Sequence, residues 1–256
     1  MEIVRIKKKN KNIYEVSFKD NLKVNIYDDT IIKYNLLGKK VIDDKEYKEI
    51  ISFNNNLDAY YYCISFINKK LRTKKELISK LKSLKYNNDN IDYAINRLTK
   101  EGYLNDLLYI KSYVNDKVLL SLDGPNKIKN DLVKLWMNED EIINCLAEYD
   151  DLWLDRIKRI IEKKIKSNHT LSNKVLFIKI REYLYNLGYY SELINEELNN
   201  YSFASDDAIL EKMIIKSLNK YKRKYSGEEL INHVKYEMYK KGYNMDLIDT
   251  ILQKNV

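Results

Sequence analysis

The sequence predicts a mainly α protein, with about four tandem three-helix repeats preceded by a small N-terminal β meander. Three observations predict it. The first is composition: one Pro and six Gly among 256 residues, 45% hydrophobic and 33% charged, describe an ordered helical chain, not a disordered or all-β one. The second is a change of hydrophobic period near residue 56, from two to that of an α-helix. The third is a pattern that returns four times along the rest of the chain.

The meander comes first. Val4 and Ile6, then Tyr14, Val16 and Phe18, then Leu22, Val24 and Ile26 alternate at period two, and "KKNKN" and "KDN" between them have hairpin-turn chemistry. A single apolar face of this size needs a cover. "TIIKYNLLG" and "DDKEYKEIISF" are expected to supply it as short helical pieces.

The first helical repeat follows. Leu57, Tyr60, Tyr61, Ile64 and Ile67 make one stripe at helical spacing. Thr73 with Glu76 three residues on predicts a capping box, opening a helix with Leu77, Leu81 and Leu84 inward. A third helix puts Ile91, Ala94, Ile95 and Leu98 on one face and ends at Gly102 in a left-handed cap. Asn105 or Asp106 then caps the next helix, while Tyr103 and Leu104 cover the joint.

The frame then recurs. "LKSLKYNNDNI", "LVKLWMNEDEI", "LYNLGYYSELI" and "MYKKGYNMDLI" align Leu81, Leu132, Leu184 and Met238. Five positions on stand Tyr86, Met137, Tyr189 and Tyr243, and ten positions on stand Ile91, Ile142, Ile194 and Ile248. Gly188 and Gly242 occupy the intervening turn in two copies, Lys85 and Trp136 in the others. The chain is thereby divided into a β segment with short helices at 1–55 and repeats at 56–106, 107–149, 150–203 and 204–256. Within the second repeat, Gly124-Pro125 is read as a helix start and nothing more, with Pro at the first helical position and Gly as a permissive cap. Trp136 and Trp153 are expected to pack at joints.

The net charge is +8, and it is clustered. From Lys69 to Lys85 there are eight basic residues against Glu76 alone, and Lys212 to Lys224 holds six with no acid. Between them, Glu139 to Asp155 carries seven acids and no base. Such runs are either solvated helix faces or stripes that meet a polyanion or an acidic partner. Cys63 and Cys145 form no CxxC or disulfide framework, which fits a reducing compartment. The N-terminus has no signal-peptide run and no stretch is long and apolar enough for a membrane span, so a cytoplasmic location and no membrane partner are expected. His169 and His233 lie in no metal-binding spacing, and neither a phosphate loop nor a nucleophile elbow occurs. No catalysis, cofactor or metal is expected.

"RTKKELISKL", "LTKEGYLND" followed by "YIKSYV", and "GPNKIKNDL" resemble, in order and spacing, the core of the bacterial RecX regulatory proteins over roughly residues 57–150. The N-terminal β segment and the extra repeats resemble those of the longer members. The chain departs from the family pattern at Lys70, where Arg is common, at Thr73, where Ser is common, and at Lys85 and Trp136, where Gly is common. The resemblance implies a non-enzymatic modulator, an inhibitor, of RecA recombinase in DNA repair, homologous recombination and the SOS response. It implies an elongated, curved array of repeats lying in the groove of the RecA–DNA filament, lowering ATP hydrolysis and strand exchange, with single- or double-stranded DNA as a further partner. A monomer is expected.

Candidate contacts to filament or DNA are Lys69, Lys70, Arg72, Lys74, Lys75 and Lys82 around the first repeat's second helix, with Lys127 and Arg223 downstream. Two other functions fit the same charge pattern. One is a nucleic-acid-binding helical repeat protein acting without RecA, since three-helix units with a basic second helix resemble helix-turn-helix domains. The other is a scaffold for an unrelated acidic protein.

Overall fold

The structure, a computed structural model, describes residues 1–201 and 206–255. The boundary expected between the third and fourth repeats, at 203/204, lies outside the described residues. Two compact units are present: Met1–Lys111 with Leu135–Asn138, and Ser112–Lys134 with the described residues from Glu139 onward.

In the first unit β1 (Ile3–Lys8), β2 (Ile13–Phe18) and β3 (Lys23–Tyr27) form an antiparallel sheet in that order. Val16, Phe18 and Ile26 face inward as their alternation requires, against Ile31, Leu36, Ile42 and Ile50. Val4 does not. A bulge between Ile3 and Arg5 shifts the register, so Ile3 and Ile6 pack inward and Val4 is 65% exposed. Leu22 also escapes the expected face, because it lies in the turn after Asn21 (φ +66°) and before β3 begins.

The cover differs from expectation. Helix α1 (Asp28–Lys33) and a 3-10 turn at Leu36–Gly38 are short, but the next element, α2, is one uninterrupted helix, Asp44–Ile67. The boundary expected at 55/56 falls inside it. Its N-terminal half buries Ile50 against the sheet, and its C-terminal half gives Ala59, Tyr60 and Cys63 to the first repeat. Asn54, at the changeover, accepts the Tyr27 N–H at 2.8 Å and donates to the Asn25 carbonyl at 3.1 Å. The exposed edge of β3 is thereby satisfied by a side chain instead of another strand.

Helices α3 (Lys74–Ser83) and α4 (Asn88–Lys100) complete the first repeat. The Thr73–Glu76 capping box is formed, and Leu77, Leu81, Ile91, Ala94, Ile95 and Leu98 are buried. Leu84 is not on the buried stripe: it is 43% exposed. It ends α3 as the C-cap, and the inward position that a longer helix would give it is taken by Tyr86, which packs on this core. Gly102 (φ +79°) closes α4, Leu104 is buried, and Asn105 accepts the Leu108 N–H at 2.9 Å to cap α5 (Asp106–Leu120).

Downstream stand α6 (Pro125–Val133), α7 (Glu139–Ala147), α8 (Asp150–Lys166), α9 (Asn173–Asn186), α10 (Ser191–Asn199), α11 (Asp207–Tyr221), α12 (Gly227–Lys240) and α13 (Met245–Asn255). Thirteen α-helices thus occur among the described residues, and from α2 onward they follow the expected order of triplets. The acidic run has a local cause. Glu139, Asp140 and Glu141 open α7, and Asp150 and Asp151 open α8, where carboxylates oppose the positive end of the helix dipole.

The recurring frame is a helix-ending motif. Lys85, Trp136, Gly188 and Gly242 have φ of +65°, +67°, +89° and +86°, so all four turns share one left-handed residue although only two are glycine. Behind it the N–H of Tyr86, Tyr189 and Tyr243 returns to the carbonyl of Leu81, Leu184 and Met238, at 3.2, 3.2 and 3.3 Å. These bonds, with the apolar pair they bring together, form the Schellman closure. The departures at Lys85 and Trp136 leave the turn geometry intact.

Gly124 caps α6 with Pro125 at its first position, as expected, yet the pair is more than a helix start. The Gly124 N–H donates to Leu187 O at 2.6 Å and Asn126 N–H to Gly188 O at 3.0 Å. A Cβ on Gly124 would sit 2.6 Å from the Gly188 carbonyl carbon. The next joint repeats the arrangement, with Ser172 N–H donating to Lys241 O at 3.2 Å. The start of one repeat's second helix therefore docks on the left-handed turn of the following repeat.

Candidate partner-binding surface

Burial of Leu77 and Leu81 fixes how α3 is rotated, and that rotation sets which cations face solvent. Lys69 and Lys70, in the connection after α2, are exposed, as are Lys74 in the first turn of α3 and Lys82 near its end. Lys74 and Lys75 open a helix whose first-turn acid is Glu76 alone. Cations there oppose the helix dipole, which disfavours folding slightly and adds the helix N-terminus to the local positive potential. Sequence gives that placement no stabilising purpose.

Arg72 and Lys75 are held differently. The Arg72 guanidinium lies 3.9 Å from the centroid of the Phe66 ring, with Nη1 3.2 Å from a Glu76 carboxylate oxygen. Lys75 is half-buried, its ammonium 5.3 Å from the centroid of the Trp136 ring. Trp136 was expected to pack at a joint, but its side chain is 59% exposed because the left-handed backbone turns it outward. Trp153 does pack, at 1% exposure, edge-on to Tyr189. Phe66, Arg72, Lys75, Ser79, Lys80 and Leu135 line a shallow groove on this face. Lys80 and Trp136 are the features that sequence reasoning left out of the candidate surface. An aromatic residue at the turn position that two other repeats fill with Gly188 and Gly242 was the available signal.

The two candidates of the second unit also divide. Lys127 is committed to Asp123, which receives its ammonium at 2.6 Å and that of Lys117 at 2.7 Å. Burial opposes charge on Asp123, yet the two ammoniums hold its carboxyl below the usual range. Arg223 is exposed beside exposed Lys222 and Lys224, just past α11. Five of the eight candidates are thus solvent-facing cations, and three have internal partners.

Comparison with known proteins bears on the whole chain. A profile described as the first three-helix domain of RecX matches residues 59–98, which span the last nine residues of α2, all of α3 and most of α4. Regulatory protein RecX of Staphylococcus carnosus is 24% identical over 249 residues, covering 96% of this chain and 93% of its own. That of Streptococcus uberis is 27% identical over 263 residues, covering 99% of each. The chain is similar to RecX regulatory proteins along nearly its whole length. A crystal structure of regulatory protein RecX superposes with a TM-score of 0.71 at 19% identity, over 78% of this chain and 99% of that one, and supports the fold. The crystal structure of RecX from Lactobacillus salivarius has a TM-score of 0.53 at 28% identity, over 57% of this chain and 98% of its own. Among the described residues of this chain no helix is long and apolar enough to cross a membrane, and no three His, Cys, Asp or Glu side chains group as metal ligands.

Proposed function

We propose that this protein acts as a RecX, modulating RecA recombinase as an inhibitor, binding in the groove of the RecA–DNA filament and lowering ATP hydrolysis and strand exchange in the cytoplasm. Similarity to regulatory proteins RecX over nearly the whole chain is the observation that carries the reading. The exposed cations around α3 supply compatible physics, because a groove lined by phosphate and acidic side chains attracts them over a Debye length of about 8 Å at physiological salt. Lys69, Lys70, Lys74 and Lys82 are the proposed contacts in the first unit and Arg223 in the second. Arg72, Lys75 and Lys127 support their own surroundings.

The experiment presents the protein with pre-formed RecA filaments and with the same DNA bare, at equal salt. Preferential binding to filaments, with inhibition of DNA-dependent ATP hydrolysis, is expected. Equal affinity for bare DNA and no effect on ATP hydrolysis would instead establish a nucleic-acid-binding repeat protein that acts without RecA.

A further inference from the structure

Besides the basic groove, the first unit carries a surface concavity lined by Tyr27, Tyr61, Tyr62 and Tyr86 around Asp58, with the β1–β2 turn, Asn10–Asn12, at its rim. Elements distant in sequence build it: the end of β3, the middle of α2 and the Schellman turn after α3. The Tyr27 hydroxyl donates to one Asp58 oxygen at 2.8 Å and the Tyr86 hydroxyl donates to the other. Tyr27 and Tyr61 stack at 4.6 Å between centroids. Burial, reinforced by neighbouring carboxylates, pushes the Tyr27 and Tyr86 hydroxyls up and that of Tyr61 to about 12, so the rings are neutral donors at physiological pH.

The concavity thus presents electron-rich ring faces around one oriented carboxylate. Each Asp58 oxygen accepts one tyrosine proton and keeps a second lone pair for an incoming donor. Among the described residues no basic side chain pairs with Asp58. The same unit shows what such a combination holds. Arg97 lies 4.1 Å from the centroid of the Tyr60 ring while it bonds Asp29 at 2.7 Å and Glu101 at 2.8 Å. The Tyr60 hydroxyl also donates to Glu101, so ring, carboxylate and hydroxyl there surround one guanidinium. Around Asp58 the rings, carboxylate and hydroxyls are supplied by this chain and the guanidinium is not.

We propose that the Tyr27–Tyr61–Tyr62–Tyr86 concavity binds the guanidinium of an arginine side chain presented by a protein partner. A planar guanidinium covers a tyrosine face while its N–H fork reaches the carboxylate, a geometry that the spherical, strongly hydrated ammonium of lysine does not match. The site centres on a carboxylate, with Lys11 the one cation among the described residues of its lining, and it stands whether or not the RecA reading holds.

The test titrates N-acetyl-arginine amide into the full chain, followed by two-dimensional amide NMR, with N-acetyl-lysine amide and cytidine in parallel. Saturable shifts at Asn10–Asn12, Tyr27, Tyr62 and Tyr86 are expected for the arginine derivative, at least fivefold tighter than for the lysine one. Asp58→Asn should weaken binding about tenfold. Lys11→Glu, on the exposed rim and outside the core, should tighten it severalfold, so the proposal stays testable if Asp58→Asn disturbs folding. Equal, non-saturating shifts for both amino-acid derivatives would overturn it. So would unchanged or weaker binding in Lys11→Glu, or saturation by cytidine in preference to arginine.

Discussion

Gly102 and Gly188 have nearly the same backbone angle but different surroundings, and that difference gives a sharp residue-scale prediction. A Cβ on Gly102 (φ +79°) meets nothing within 4 Å, so Gly102→Ala should cost only the left-handed strain, about 1 kcal/mol. A Cβ on Gly188 (φ +89°) would lie 2.4 Å from Lys127 Cβ and 2.7 Å from Lys127 N, so Gly188→Ala should cost about 3 kcal/mol or more. Lys85, at φ +65° and exposed, is the converse: Lys85→Gly should be neutral or stabilising by up to about 1 kcal/mol. Urea denaturation midpoints of the three variants check the order, and equal losses for the two alanines would show that the α6 joint is loose. The sequence showed part of this. Pro125 marked the start of α6 because its own ring dictates that position, whereas the second role of Gly124 depends on a turn in the next repeat and leaves no local trace. The shared left-handed turn was visible only as a recurring frame, since Lys and Trp in two copies hid the conformation that glycine would have announced.

Helix α3 separates stability from function at the scale of the element. Lys74 is an exposed cation at the positive end of the dipole, so Lys74→Glu should stabilise the fold by about 0.5 kcal/mol while weakening partner binding. A rise in melting temperature together with a fall in inhibition would distinguish a binding residue from a structural one. Asn54 of α2 works the other way. Asn54→Ala leaves the Tyr27 N–H and Asn25 carbonyl without their partner and should cost about 2–3 kcal/mol, read as loss of amide-exchange protection in β3. Period and capping signals located most helices, because each buries one face throughout. They divided α2 for the same reason: its two halves bury different faces against different cores, so no single stripe runs its length. Leu84 was misplaced because periodicity continues past the point where a Schellman turn ends the helix.

The sheet, the first repeat and the last repeat each have a core cluster of their own, the first two in one compact unit and the last in the other. Deleting residues 206–256 should therefore leave amide protection in β1–β3 and α2–α4 unchanged, while α9 loses the bond from Ser172 N–H to Lys241 O. Of the candidate surface, sequence supplied the basic run but not its division into free and committed cations, which depends on Phe66, Trp136 and Asp123 as three-dimensional neighbours. That division sets the decisive measurement: inhibition of DNA-dependent RecA ATP hydrolysis by the wild type and by Lys70→Glu with Lys74→Glu, titrated at two salt concentrations with circular dichroism to confirm the fold. The double reversal replaces two attractive charges by two repulsive ones, so the concentration for half-inhibition should rise more than about tenfold, by a factor that shrinks as salt rises. Inhibition equal to that of the wild type at both salts would contradict the assignment of this face to the filament.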